Sequence, residues 1–108
     1  MTRTRIEDLG AGLKRATLEN ESLRVSILNF GARAERIQLL DQDILLYYAD
    51  PHAYLTDTYY LGAMIGRVAG RIQDASVQID QVAHALEANE GTNTLHGGLS
   101  GISQQFWT

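Results

Sequence analysis

The sequence predicts an all-β fold, an antiparallel β-sandwich of the kind assembled from short strands, and an incomplete piece of a larger one. Three observations carry that expectation. Apolar and polar residues alternate in short runs, turn-forming residues recur roughly every 8–12 positions, and no stretch holds the apolar spacing of a long helix. The incompleteness is read from the end of the chain, Phe106-Trp107-Thr108, which leaves two large apolar residues beside strand edges that lack partners.

Taken in order, residues 1–13 read as a flexible lead-in closing on Leu9-Gly10-Ala11-Gly12, and residues 14–108 as the folded domain. From Lys14, Ala16 and Leu18 alternate with Thr17 and Glu19, and Leu23, Val25 and Ile27 alternate with Arg24 and Ser26. Asn20-Glu21-Ser22 is the hairpin turn between these strands. After Asn29-Phe30-Gly31-Ala32 a further strand runs from Ala34 to Leu39, then a turn at Asp41-Gln42-Asp43. Ile44-Leu45-Leu46-Tyr47-Tyr48 is apolar throughout and predicts a strand buried on both faces. Asp50-Pro51 suits a brief helical turn with proline at its first position, interrupted at Thr56-Asp57-Thr58. Tyr59–Gly66 is apolar and small, a buried segment whose glycines predict close backbone approach. Ser76-Val77-Gln78-Ile79 and Val82-Ala83-His84-Ala85-Leu86 flank Asp80-Gln81 as a hairpin. Residues 98–102 stay irregular.

Composition bounds function. A chain of 108 residues is one domain at most, and a net charge of −4 supplies no basic field for a nucleic-acid backbone. There is no cysteine, hence no disulfide, thiolate metal site or cysteine nucleophile. The basic start, Met1-Thr2-Arg3-Thr4-Arg5, runs into Glu7 and Asp8 without an apolar core, unlike a secretory signal, and no run approaches the ~18 apolar residues of a membrane span. A cytoplasmic protein without membrane or nucleic-acid partners is the expectation.

Two segments carry candidate chemistry. Gly66-Arg67-Val68-Ala69-Gly70-Arg71-Ile72 places Arg67 and Arg71 on one face, with Val68 and Ile72 on the other if the segment is extended. Arg71 offers planar donors to sugar hydroxyls, carboxylate or phosphate; equally, it suits a structural ion pair with one of the 13 acidic residues. Asn89-Glu90-Gly91-Thr92-Asn93-Thr94-Leu95-His96-Gly97-Gly98 sets His96 between a turn-forming run and two glycines, on a loop at the end of a strand. A neutral imidazole there can hydrogen-bond a hydroxyl or share a proton; a lone loop histidine can also be merely exposed. His52 and His84 read as surface or cross-strand residues, and the histidine separations of 32 and 12 residues show no metal-ligand spacing. Gly66-x-x-x-Gly70 lacks the lysine of a phosphate loop. The tyrosines and Trp107 could stack on a sugar ring, but in a small sandwich they suit the core.

Gly62-Ala63-Met64-Ile65-Gly66-Arg67-Val68-Ala69-Gly70-Arg71-Ile72, the 89–98 run, Gly101 and Trp107 together resemble the N-terminal third of the aldose 1-epimerase (galactose mutarotase) family, and Ile27–Ala32 resembles its early strand and turn. The resemblance covers residue 14 to the end. It implies a galactose mutarotase-like sandwich that binds a free aldose such as galactose or glucose and interconverts its α and β anomers without a cofactor. In that family a carboxylate removes the anomeric hydroxyl proton while a histidine protonates the ring oxygen; the ring opens, C1–C2 rotates, and closure on the other face inverts C1. By resemblance Arg71 and His96 are sugar-binding residues and His96, near the ring oxygen, the catalytic one. Gly70 stands where the family usually has asparagine, which removes one sugar contact. The family's second histidine, aspartate and catalytic glutamate fall beyond Thr108, so the expectation is a fragment with little turnover alone. The alternatives are a non-catalytic carbohydrate-binding or regulatory module, and a structural remnant that forms homo-oligomers through its open sheet edges.

Overall fold

The computed structural model describes every residue from Met1 to Thr108 and divides the chain into two units, Met1–Met64 with Phe106–Thr108, and Ile65–Gln105. The fold is all-β and antiparallel, as expected. In the first unit five strands pair in chain order: β1 Arg3–Gly10, β2 Leu13–Glu19, β3 Leu23–Leu28, β4 Arg33–Leu39 and β5 Gln42–Asp43. The β2–β3 turn forms where Asn20 places it, because its side-chain oxygen accepts from the Ser22 and Leu23 N–H groups at 2.9 and 2.8 Å.

Register gives the sheet two unlike faces. On one, Ile6, Ala16, Ile27 and Ala34 form a row across β1 to β4, beside Thr4, Leu18, Val25 and Ile37. On the other, Arg5, Thr17, Ser26 and Arg36 align, with the Thr17 and Ser26 hydroxyls 3.3 Å apart. Arg15 grips Glu35 on this polar side through Nε and Nη2, at 2.7 and 2.6 Å.

Residues 3–10, expected within the lead-in, are instead β1, paired along β2 with an irregularity between Asp8 and Gly10. Its period of two is written in charge rather than apolar residues, since Arg5 and Glu7 pair with each other at 3.2 Å and Arg15 reaches Glu7 at 3.6 Å. A hydrophobicity pattern therefore misses it. Ile44–Tyr48, expected as a doubly buried strand, is irregular and Leu46 is 74% exposed. After Ile44 N–H bonds Ile37 C=O the chain leaves the sheet, so Ile44 and Leu46 stay exposed while Tyr48 turns onto the core.

The core of this unit is Leu13, Leu28, Phe30 and Tyr54, with Leu9, Tyr48, Leu55 and Leu61 packed against it. Tyr54 comes from the predicted helical turn, a 3₁₀ segment Pro51–Thr56 capped by the Asp50 side chain on His52 N–H. Its hydroxyl donates to Glu35 C=O at 3.1 Å. Beneath it Arg33 and Asp57 form an ion pair at 2.7 Å with both side chains fully buried. Asp57 also accepts from Tyr48 O–H at 2.6 Å and from the N–H groups of Tyr59 and Leu61 at 3.1 and 3.0 Å. Burial pushes the Asp57 carboxyl up, but the bonds from Tyr48, Arg33 and the two amides outweigh it and hold it below its ordinary 3.8. The same bond, with burial, pushes the Tyr48 phenol up to about 12.

An acid limb of stability follows. A carboxyl depressed by folding contributes stability above its unfolded value and loses it as pH falls through the folded one. Unfolding free energy should be flat with respect to this group near neutrality and decline below about pH 4, more steeply than in Asp57→Asn, as read by urea titrations at stepped pH. Equal slopes would remove Asp57 from the account.

Tyr59–Gly66 is less buried than predicted, with Tyr59 79% exposed, yet the expected close approach is real. Gly62 lies at φ +60 and its C=O accepts from Ala34 N–H at 2.9 Å; a Cβ there would lie 2.0 Å from Ala34 O. Phe106 bridges to Phe30 with ring centroids 5.2 Å apart, and Trp107 N–H bonds Asn29 C=O. With Ile6, Ala16 and Ile27, Phe106 and Trp107 line an apolar hollow of about 830 Å³ on the sheet. Both aromatics are about half exposed.

In the second unit β6 Arg71–Ile72 pairs with β9 Thr94–Leu95, and β7 Ser76–Ile79 with β8 Val82–Ala85. The β7–β8 hairpin is where the sequence puts it, turning through Asp80 and Gln81 at φ +48 and +66. Its apolar residues Ile79, Val82 and Leu86 are exposed rather than covered.

Candidate functional site

The second unit places Arg71 on β6 and His96 just past the end of the adjacent β9. Arg71 opens β6 opposite Leu95, the last residue of β9, and His96 follows directly. There the ladder is completed in an unusual way. His96 N–H donates to Gly70 C=O at 3.0 Å, but the return bond from Gly70 N–H goes to His96 Nδ1, also at 3.0 Å. At φ +50 the backbone of His96 leaves the strand, and the imidazole accepts what a strand carbonyl would have accepted. An Nδ1 that accepts a hydrogen bond is unprotonated, so the neutral ring carries its proton on Nε2, which is the donor.

The loop before His96 is braced by side chains acting as strand partners. Asn89 accepts from Leu95 N–H at 2.6 Å and donates to Leu95 C=O at 2.9 Å, while the buried Thr94 hydroxyl donates to Glu87 C=O at 2.8 Å. Glu90 and Asn93 exchange backbone bonds across a tight turn. Gly97, at φ +91, runs against Gly66: a Cβ on it would lie 2.2 Å from Gly66 O. This is the physical reason for a glycine beside the histidine.

Arg71 is the structural ion pair that its residue type allowed. Its Nε and Nη2 donate to the two carboxylate oxygens of Glu90 at 2.5 and 2.7 Å, with the guanidinium 63% exposed. The hydrogen bond from Glu90 raises the guanidinium further; the same bond, with the field of Arg71 and a bond from Asn93, holds the Glu90 carboxyl below its ordinary range. Glu90 thus forms one ion-paired group with Arg71. Sequence reasoning assigned it no role, and the only available signal was its place in the turn-forming run.

Arg67 does not share a regular face with Arg71, because residues 65–70 are irregular rather than extended and Val68 is exposed instead of anchoring the segment. A Cβ built on Gly70 meets nothing within 4 Å, so the space beside it is open. His52 lies in the capping turn with Nδ1 3.3 Å from Asp50, and His84 sits on β8 opposite Val77. No three His, Asp or Glu side chains cluster in a way that could hold a metal ion.

A family model described as aldose 1-epimerase matches residues 14–108. The galactose mutarotase of Bos taurus is 34% identical over 106 residues, covering 93% of this chain and 31% of that protein. The aldose 1-epimerase of Lactobacillus helveticus is 34% identical over 99 residues, covering 91% of this chain and 76% of that protein. Among solved structures, galactose 1-epimerase from Lactobacillus acidophilus NCFM matches with a TM-score of 0.82 and 30% identity, over 99% of this chain and 33% of its own. The chain therefore spans about a third of the length of the bovine relative.

Proposed function

The chain belongs to the aldose 1-epimerase family, and from that premise we propose that it supplies the Arg71 and His96 part of a site that binds a free aldohexose, galactose or glucose, for interconversion of its anomers. The observation that carries the reading is the bond from Gly70 N–H to His96 Nδ1. It leaves Nε2–H as the donor for a ring oxygen, held in orientation by the backbone of the neighbouring strand. Arg71, already planar and oriented by Glu90, donates to sugar hydroxyls from its remaining N–H groups.

Turnover needs a carboxylate able to take the anomeric hydroxyl proton near neutral pH. Glu90 is poorly suited, because the Arg71 guanidinium occupies both of its oxygens and lowers its basicity. The chain alone is therefore proposed to bind sugar without accelerating anomer exchange, the general base coming from the family's remaining residues. That same observation favours, as second reading, a non-catalytic carbohydrate-binding module.

Fresh α-galactose followed by polarimetry should mutarotate at the buffer rate in the presence of this chain. Titration with millimolar galactose should give saturable NMR shifts at the His96 and Arg71 side chains, lost in His96→Ala. Acceleration of exchange by the isolated chain contradicts the assignment of the base elsewhere, and absence of any shift at millimolar sugar contradicts both readings.

A further inference from the structure

We propose that β1 is a dimerisation edge, on which two copies of this chain pair antiparallel about a two-fold axis at Ile6, joining two five-stranded sheets into one continuous sheet. β1 ends the strand order of its sheet, so one side of its backbone has no strand partner within the chain. Such an edge is a template for pairing. Natural edges are commonly blunted by charge of one sign; this one carries both signs in mirrored order, Arg3 and Arg5 before Ile6, Glu7 and Asp8 after it.

The order selects both orientation and register. Antiparallel pairing centred on Ile6 puts Arg5 opposite Glu7 of the second copy and Glu7 opposite its Arg5, with Thr4 opposite Asp8. A slip of one residue would turn the apolar face of one sheet toward the polar face of the other. A slip of two residues places Arg5 on Arg5 in one direction and Glu7 on Glu7 in the other. In the centred register both faces continue across the axis. Arg5 and Glu7 line the polar side, where Arg3, Arg15 and Thr17 also lie. Ile6, 71% exposed, would cover its counterpart and extend the Ile6, Ala16, Ile27, Ala34 row into the same row of the second copy. The interface is isologous, as closed dimers require, and does not propagate into a fibre.

The test uses the chain itself in sedimentation equilibrium. The wild type should associate to a dimer as concentration rises. Arg5→Glu and Glu7→Arg should each weaken association by about tenfold or more, because both symmetry-related pairs become like-charged. An equimolar mixture of the two variants should recover it, since each reversed residue then meets its opposite; recovery also shows that both variants fold. Register is read by oxidative cross-linking. The chain has no cysteine, and directly opposed Cα atoms lie about 4.5–5.5 Å apart, within disulfide reach. Ile6→Cys should therefore cross-link rapidly and Thr4→Cys should not. A monomer at the highest soluble concentration, a dimer indifferent to both charge reversals, or Thr4→Cys linking as fast as Ile6→Cys would each overturn the proposal.

Discussion

Asp57→Ala is expected to lower the unfolding free energy of the first unit by about 3–5 kcal/mol. The reason is not the value of one ion pair. With Arg33 and Asp57 fully buried, removing the carboxylate leaves the guanidinium against Phe30 and Tyr54, its centre 5.6 and 5.8 Å from their ring centroids, with Leu61 C=O as a neutral acceptor at 3.2 Å. The amides of Tyr59 and Leu61 and the Tyr48 hydroxyl lose their acceptor in the same step. For a chain this small that is a large share of total stability, of order 0.1 kcal/mol per residue. Glu19→Ala, which removes the partner of the exposed Arg24, should cost no more than about 1 kcal/mol. Urea unfolding followed by circular dichroism distinguishes the two. Comparable losses for both variants would mean that the Arg33–Asp57 pair is not an organising element of the fold.

Gly97→Ala is expected to cost roughly 2–4 kcal/mol locally and to abolish sugar binding at His96. The substitution places a methyl group 2.2 Å from Gly66 O at a φ of +91 that alanine resists, so the 66 and 97 backbones must separate. His96 immediately precedes the displaced residue, and its reciprocal bonds with Gly70 keep its ring in place. The readouts are accelerated hydrogen exchange at the Gly70 and His96 amides and loss of the galactose-dependent shift. Gly91→Ala serves as the comparison, because a Cβ there meets nothing within 4 Å although its φ is also positive. If Gly97→Ala exchanges no faster than Gly91→Ala, the steric argument fails.

How far the chain was legible differs by region, for physical reasons. The β2–β3 hairpin was readable because a half-buried strand writes its period in apolar residues and Asn20 forms its turn, and the β7–β8 hairpin because Val77, Ile79 and Val82 alternate about Asp80, although most of its apolar residues are exposed. β1 was not, since its alternation is carried by Arg5 and Glu7. Ile44–Tyr48 misled in the opposite sense: a run of apolar residues records what would tolerate burial, while exposure depends on whether another segment arrives to cover it. In the candidate site, Arg71 and His96 were visible by residue type, and a structural pair for Arg71 was foreseen without its partner. Glu90, and the use of Nδ1 as a backbone acceptor, were not.

By itself the sequence determined the all-β class, the places of the hairpins, the short turn at Pro51, and a family pattern that embeds Arg71 and His96. These are local properties, set by side-chain period, turn chemistry and glycine at positions of close approach. Only the tertiary structure decided that Arg33 and Asp57 are buried together, that Glu90 binds Arg71, that Gly70 dictates the tautomer of His96, and that β1 is an open edge. Each depends on which distant segments meet, and contact between residues far apart in the chain is set by the register and packing of whole strands rather than by the identity of any one residue.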